Sequence, residues 1–339
     1  MHISELDYDL PEDLIAQHPS ERRDASRLLV VDRATGEMQI DVYRNVASYL
    51  RPGDCMVLNR TRVIRARLHA KRPTGGKAEI FLLREISPGE WETLVRPSAK
   101  IAPGTRLAIG PLTATVEERH GDGRRRVVFD APNVLDVLEQ AGEVPLPPYI
   151  RRSHADPSDA ERYQTIYARD PGSVAAPTAG LHFTDEVFAS LDAAGVKRAT
   201  LTLHVGYGTF SPIRAERVED HTLEPEPFDL SRETADTLNA ARAAGGRIVA
   251  VGTTSTRVLE TQFREGHFHA GSGDTAHYIC PPYTFRAVDA LQTNFHLPRS
   301  SLLALVYAFA GAELAREAYR LAIAERFRFY SYGDVMLLV

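Results

Sequence analysis

The hydrophobic positions of this chain follow two different rhythms. Apolar runs at residues 27–32 and 54–58 have the length and composition of buried strands. From residue 67 to residue 130, short apolar runs recur at even intervals, and turns rich in glycine and proline separate them. This spacing without helical periodicity predicts a small antiparallel barrel.

The second half alternates helical patterns with apolar strands. The predicted elements are helices over residues 186–194, 234–244, 300–310 and 313–325, and strands over residues 197–205 and 247–251. The strand Arg-Ile-Val-Ala-Val at 247–251 is apolar enough to be buried on both faces. Helices alternating with such strands predict a mixed sheet with flanking helices, a Rossmann-like α/β fold.

The two rhythms predict two domains, which a chain of 339 residues also favours. We assign residues 1–66 and 150–339 to the α/β domain. Residues 67–149 form the inserted β-barrel domain, with a connector helix over residues 134–140. The sequence Pro-Leu-Pro-Pro-Tyr-Ile at 145–150 is a stiff, extended connector that leaves the barrel.

Composition excludes several classes of protein. Hydrophobic residues make up 43% of the chain and charged residues 25%. No apolar run has the length of a membrane span, and the first residues do not form a signal peptide. We therefore expect a cytoplasmic protein. Cys55 and Cys280 lack a paired spacing. The cluster His267, His269 and His277 lacks nearby carboxylates, so we expect no metal. A monomer is the starting expectation, with an oligomer left open.

Residues 55–78 contain no acidic residue. The basic residues in this segment are Arg60, Arg62, Arg65, Arg67, His69, Lys71, Arg72 and Lys77. Those from Arg65 to Lys71 recur at period two, opposite alanines and a leucine, which predicts a row of cations on one face of a strand. We interpret the row as a phosphate track for nucleic acid. The alternative is a solvated outer face whose acidic partners come from elsewhere in the fold.

Residues 174–184, Val-Ala-Ala-Pro-Thr-Ala-Gly-Leu-His-Phe-Thr, precede a predicted helix. Small side chains let a ligand approach the backbone closely, and His182 titrates near neutral pH. Thr178 and Gly180 are therefore candidate ligand contacts. The alternative is a tight packing turn around a buried, hydrogen-bonded histidine.

Ligands of open α/β sheets bind beyond the carboxyl ends of strands. After the strand that ends at Leu203, His204 is followed by Gly206 and Gly208, which lack the third glycine of a dinucleotide fingerprint because Ser211 stands there. After the strand at 247–251, hydroxyl side chains and backbone N–H groups meet at a helix start that suits a carboxylate or phosphate. The residues there are Thr253, Thr254 and Arg257, and the alternative is helix capping by Thr254 or Ser255.

Further polar groups follow other predicted elements. They are the Asp220–His221 pair, Asn294 and His296 before a helix, and Ser331 and Asp334 in a polar turn of the apolar tail. Each has a structural alternative, and sequence neighbours such as Asp220 and His221 often point apart. Histidines at four element ends nevertheless share one simple explanation, a site of proton transfer.

Together these segments resemble the S-adenosylmethionine:tRNA ribosyltransferase-isomerases of queuosine biosynthesis, over essentially the whole chain. The matching segments are residues 24–29, Asn59, 61–64, 145–150, 163–164, 174–184, 202–210, 251–255, 293–298 and 328–334. The resemblance implies transfer and rearrangement of the ribosyl group of S-adenosylmethionine onto 7-aminomethyl-7-deazaguanine at the wobble position of tRNA. Adenine and methionine leave, the product is epoxyqueuosine, and no cofactor beyond S-adenosylmethionine is implied.

This reaction gives the motifs expected roles. His182 and His204 would share the acid and base steps, with Asp220 and His221 assisting. The helix start at Thr253 would hold the methionine carboxylate or a tRNA phosphate, and the basic strand would carry the anticodon arm.

The chain also departs from the family pattern. Where the family has Asp-His-x-Met-His-x-Glu, residues 220–226 place Glu224 at the second histidine. Arg60, Arg65 and Thr256 are further departures. Two alternatives therefore stay open: a divergent S-adenosylmethionine-dependent paralogue with another nucleobase acceptor, and a non-catalytic tRNA-binding protein.

Overall fold

The structure of the protein is a computed structural model that describes residues 1–110, 112–119, 123–131, 133–152, 156–210 and 212–339. Its strands are β1 Arg27–Val31, β2 Met38–Val42, β3 Cys55–Asn59, β4 Thr61–Val63, β5 Arg67–Lys71, β6 Lys77–Ser87, β7 Glu90–Arg96, β8 Arg106–Ile109, β9 Leu112–Arg119, β10 Arg125–Phe129, β11 Gly142–Glu143, β12 Asp170–Ser173, β13 Lys197–Leu203, β14 Glu226–Leu230, β15 Ile248–Val251, β16 Phe263–Arg264, β17 His267–Phe268, β18 Gly271–Thr275, β19 Ala290–Asn294 and β20 Val335–Leu338.

The α-helices are α1 Val134–Ala141, α2 Asp159–Arg162, α3 Asp185–Ala193, α4 Arg232–Ala243, α5 Gly252–Gln262, α6 Ser301–Ala310 and α7 Ala312–Ala324. Short 3-10 helices lie at Ile3–Leu6, Glu12–Leu14, Arg23–Ala25, Tyr43–Tyr49, Ser98–Lys100, Thr178–Gly180, Tyr207–Phe210 and Val218–Asp220. Among the described helices, none is long and apolar enough to cross a bilayer.

A nine-stranded mixed sheet is the centre of the α/β part. Its strand order is β18-β14-β13-β3-β15-β19-β20-β1-β2. The strands β13, β3, β15 and β19 are mutually parallel, while β14 and β20 run antiparallel to their neighbours β13 and β19. The parallel strands therefore deliver the segments that follow them to one edge of the sheet.

Both faces of the central strands of this sheet are buried, which explains the continuous apolar runs at β3 and β15. In β3, Cys55 and Val57 belong to one hydrophobic cluster, and Met56 and Leu58 belong to another on the opposite face. Helices α4 to α7 contribute side chains to the first cluster, and α3 contributes to the second. Burying apolar side chains on both faces is what a sheet with helical layers requires.

The inserted part is a closed antiparallel barrel. The strands follow the order β5-β6-β7-β10-β9-β8, and β8 pairs back to β5 at Lys71 and Ala108, which closes a six-stranded ring with β11 added beside β5. In β5, Leu68 and Ala70 point into the barrel core, whereas His69 and Lys71 are exposed. The predicted fold class, a mixed α/β sheet with an inserted barrel, is thus confirmed.

Most predicted elements lie within a few residues of the observed ones. The barrel strands fall between Arg67 and Glu143, inside the predicted insertion of 67–149, whose limits themselves remain a prediction. The sequence indicated only the start of α5, because its hydroxyl-rich first turns do not show a helical apolar stripe.

Candidate active site

Four predicted segments meet at the edge where the parallel strands end. The segment at 174–179, the loop after β13, the start of α5 and the segment after β19 surround a cavity of about 160 Å3, called here the strand-end cavity. Its lining includes six of the residues predicted to contact a ligand, which are Thr178, Thr253, Thr254, Asn294, His296 and Ser331. The strand order of the nine-stranded sheet brings together the loop after β13, the start of α5 and the segment after β19, while the segment at 174–179 follows β12 of a separate two-stranded sheet.

The start of α5 presents backbone N–H groups to this cavity. Gly252 has φ of +87°, a left-handed conformation that favours glycine and lets the chain turn directly from β15 into the helix. The helix has no side-chain cap hydrogen bond. Thr254 instead accepts a hydrogen bond through its Oγ1 from Asn59 Nδ2 at 3.3 Å. The unsatisfied N–H groups of a first helical turn favour a negatively charged ligand.

His182 is buried beside the strand-end cavity rather than in its wall. Its Nδ1 lies 2.9 Å from Ser26 Oγ, and its Nε2 lies 3.4 Å from the Nδ2 of Asn294, which itself lines the cavity. Burial lowers the pKa of His182 to about 3. The imidazole is therefore neutral at neutral pH, and it contacts the cavity through Asn294.

His204 lies in a different cavity, about 460 Å3 in volume, at the junction of the barrel and the sheet. We call it the junction cavity, and its walls include Trp91 and Arg124 from the barrel and Glu224 from the loop before β14. Thr61 Oγ1 lies 2.8 Å from His204 Nδ1. Burial lowers the pKa of His204, against the opposing effect of the nearby Asp170 carboxylate. A neutral imidazole in a cavity wall is suited to accept a proton.

The loop between the two cavities is held by a buried carboxylate that the sequence analysis did not single out. Glu226 Oε1 accepts hydrogen bonds from Gly206 N at 2.7 Å and Thr209 Oγ1 at 3.2 Å, and Oε2 accepts one from Arg257. Residues 226, 228 and 230 of β14 are the buried ones. An acid at the inward position of an alternating strand was the available signal.

Arg257 is engaged inside the protein. Besides its ion pair with Glu226, it donates hydrogen bonds to the carbonyl oxygens of His277 at 2.9 Å and Thr275 at 3.1 Å. The structure therefore places its guanidinium behind the Gly206 loop and not in the strand-end cavity. Its predicted role with an anionic ligand remains a prediction.

Three more predicted residues lie around a third cavity or at the surface. Asp220 is exposed at the end of a 3-10 helix. His221 packs edge-to-face on Tyr278, with ring centroids 5.2 Å apart, and burial lowers its pKa. His221 and Gly208 both line a cavity of about 140 Å3 beside Glu224.

Two predicted residues have packing roles in this geometry. Asp334 accepts hydrogen bonds from the backbone N–H groups of Arg27 and Arg328, at 3.0 and 2.8 Å. Gly180 has no room for a side chain, because a Cβ there would meet the Tyr167 hydroxyl at 2.0 Å. Both residues shape the turns around the strand-end cavity.

Glu224 forms an ion pair with Arg124 of the barrel. Arg124 also pairs with Glu92 at 3.0 Å. The departure from the family pattern thus joins the loop before β14 to the barrel across the junction cavity. A neutral imidazole at this position would not offer the same charge pairing.

The basic segment shows the predicted alternation, and acidic residues from other elements lie near it. Arg60 pairs with Asp170 at 2.7 Å, Arg62 and Arg65 lie 3.8 Å from Glu139, and Arg67 lies 3.9 Å from Glu79. Lys71 and Lys77 face each other across the β5–β6 pair, and Arg72 covers the turn between them. Of these four pairs, only that of Arg60 is close enough for a hydrogen bond, and His69 Nε2 lies 3.1 Å from Glu143 Oε1.

Within the described ranges, no cluster of three or more histidine, cysteine, aspartate or glutamate side chains could hold a metal ion. Of the three histidines considered for such a site, His277 contacts the Tyr283 hydroxyl at 3.0 Å.

Comparisons with known proteins agree with this architecture. The sequence profile described as "Queuosine biosynthesis protein" matches residues 3–338. The crystal structure of the S-adenosylmethionine tRNA ribosyltransferase from Thermotoga maritima is similar, with 39% sequence identity and a TM-score of 0.58. The alignment covers 99% of this chain and 100% of that chain. The chain belongs to the queuosine biosynthesis protein family.

Proposed function

We propose that the protein is an S-adenosylmethionine:tRNA ribosyltransferase-isomerase. It transfers and rearranges the ribosyl group of S-adenosylmethionine onto 7-aminomethyl-7-deazaguanine at the wobble position of tRNA, giving epoxyqueuosine and releasing adenine and methionine. The supporting observation is the family match over residues 3–338, together with the solved relative, which is 39% identical and is covered over its whole chain.

The strand-end cavity suits the polar ends of S-adenosylmethionine. The uncapped first turn of α5 would hold the methionine carboxylate, with Thr253 and Thr254 at the cavity wall. Thr178 and Ser331 offer hydroxyl groups on the other walls. Small residues at 175, 176 and 179 leave room for the ligand between them.

Two proton transfers must occur in this reaction. The sulfonium acidifies the adjacent ribose carbon, whose proton must go to a base, and departing adenine must gain a proton or a hydrogen bond. His204 is the proposed base, because its neutral imidazole lines the junction cavity and the next residue, Val205, lines both that cavity and the strand-end cavity. His182 is a positioning residue that holds Asn294 in the strand-end cavity. Asp220 and His221 assist the proton transfers in this proposal.

The test is to incubate the protein with labelled S-adenosylmethionine and tRNA carrying the deazaguanine precursor, and to follow adenine release and label in the RNA. We expect tRNA-dependent release, and we expect His204→Ala to lower it about 100-fold or more. The control His267→Ala changes an exposed histidine outside these cavities and should stay near the wild-type rate.

Other outcomes contradict this proposal in distinguishable ways. Near-normal release by both His182→Ala and His204→Ala would overturn the assignment of roles. Release with label in a different nucleobase would indicate the divergent paralogue. Tight tRNA binding with no release at all would indicate a non-catalytic binding protein.

A further inference from the structure

A groove of about 690 Å3 runs between the barrel and the proline-rich connector at 145–148. Three arginines from the barrel side line it, Arg65, Arg67 and Arg96, and we call it the arginine groove. Phe81 of β6 and Tyr207 of the loop after β13 also line it. The lining also contains three carboxylates, of which Glu143 lies 3.1 Å from His69 while Asp156 and Asp159 pair with Arg152. The groove therefore combines cations and aromatic rings, the combination that single-stranded nucleic acid requires.

The three arginines are held loosely by their acidic neighbours. Arg67 and Arg96 each lie 3.9 Å from Glu79, and Arg65 lies 3.8 Å from Glu139, all beyond hydrogen-bonding distance. Exposed ion pairs of this kind contribute little to stability. Their guanidinium groups can exchange these partners for phosphate oxygens, which they bind in a bidentate manner.

A fourth arginine in the same groove provides the contrast. Arg152 forms an ion pair with Asp159, and both side chains are less than a tenth exposed. Tyr332 also donates a hydrogen bond to Asp159 at 2.7 Å. This buried network fixes the floor of the groove and leaves the three loosely held arginines as its phosphate-binding positions.

Tyr207 lies between the arginine groove and the junction cavity, because it lines both. Its half-buried ring packs edge-to-face on Phe81, with centroids 5.4 Å apart. His204, three residues earlier on the same loop, lines the junction cavity. A nucleotide with its phosphate in the groove would have to pass Tyr207 for its base to reach His204.

We propose that Tyr207 is the stacking platform for the acceptor nucleotide of tRNA. The phosphates beside that nucleotide bind Arg65, Arg67 and Arg96, and its base leaves the anticodon-loop stack, stacks on Tyr207 and points into the junction cavity. Enzymes that modify a base take it out of its stack, and aromatic side chains then replace the lost stacking partner. This inference rests on the proposed function.

The test compares two anticodon stem-loop RNAs that differ only at the wobble position, one with guanosine there and one abasic, using the full chain and fluorescence anisotropy. We expect the wild-type protein to bind the intact RNA about tenfold or more tightly than the abasic RNA. We call the affinity for the intact RNA divided by that for the abasic RNA the base-dependent ratio. It should fall to about twofold or less in Tyr207→Leu and keep its wild-type value in Tyr207→Phe.

Phe263→Leu serves as the matched control, because it removes a partly buried ring that packs edge-to-face on Phe268 and lies outside the groove and the cavities. It should retain most of the base-dependent ratio. If Tyr207→Leu weakens both RNAs equally, or changes neither, the stacking role is wrong. A wild-type protein that binds the two RNAs equally would overturn it as well.

The anisotropy measurement reports RNA affinity and needs no catalysis, so its result is independent of the adenine-release assay. Absence of adenine release from the wild-type protein speaks against the proposed function. If the wild-type protein releases adenine normally but binds the intact and the abasic RNA equally, only the stacking role of Tyr207 is contradicted and the proposed function stands.

Discussion

Two arginines in different regions of the molecule show how differently the same side chain can be used. Arg257, behind the loop between the two cavities, is buried and pairs with the equally buried Glu226. Arg67, on the barrel, is about a third exposed and lies 3.9 Å from Glu79. Both face a glutamate, yet only Arg257 is hydrogen-bonded to it.

The difference between these two pairs comes from desolvation. A buried charge depends on its partner, since the loss of one member leaves the other uncompensated in a medium of low dielectric constant. An exposed charge is already stabilised by water and can exchange its partner at little cost. Arg257 and Glu226 therefore shape the cavity walls, whereas Arg67 is available to a ligand.

Removing one carboxylate from each pair should separate the two regions most clearly. We expect Glu226→Gln to lower the free energy of unfolding by about 3–5 kcal/mol, because it leaves Arg257 buried without a counter-charge. The matched change Glu79→Gln in the barrel should cost less than about 1 kcal/mol. Urea unfolding of both variants measures these values, and equal losses would contradict the distinction.

Acid should destabilise the α/β part through its buried histidines. Burial lowers the pKa values of His182 and His296 to about 3, so the unfolded chain binds a proton at each site below pH 6.5 while the folded protein does not. Stability is therefore present above pH 6.5 and is lost as the pH falls towards 3. Between pH 7.5 and pH 5.5 each histidine should cost about 1.4 kcal/mol.

Urea unfolding at the two pH values measures this loss, and His296→Gln isolates the share of one histidine. The variant should lose about 1.4 kcal/mol less than the wild-type protein over the same pH interval. An unchanged pH dependence would show that His296 is not a source of the acid lability.

The smallest effects on stability should come from the barrel arginines. Arg67→Gln should change the free energy of unfolding by less than about 0.5 kcal/mol. In the same variant, the slope of log Kd for tRNA against log salt concentration should fall by about one, because one phosphate contact is lost. Arg106→Gln, on an exposed position of β8 outside the groove, should leave that slope unchanged. Equal slopes for both variants would exclude Arg67 as a phosphate contact.

The fold class and many element positions followed from local patterns, but β14, β18, β19 and β20 of the nine-stranded sheet were not predicted. Period-two alternation placed Leu68 and Ala70 inside and Lys71 outside the barrel, and the apolar run at β15 indicated a strand buried on both faces. These patterns predict which way a side chain faces, because backbone geometry fixes the periods of helices and strands. The strand-end position also identified Thr253 and Thr254, whereas Thr178 came from a segment of small residues and Asn294 from its place before a helix.

What the sequence by itself determined is therefore the two rhythms, the fold class and the segments that carry chemistry. Only the tertiary structure decided that His182 contacts Asn294 while His204 lies in a different cavity, and that Glu226 pairs with Arg257. The physical reason is that burial and pairing depend on residues distant in the chain, such as Ser26 beside His182. Local periodicity records which way a side chain faces, but the strand order of the sheet selects what it meets there.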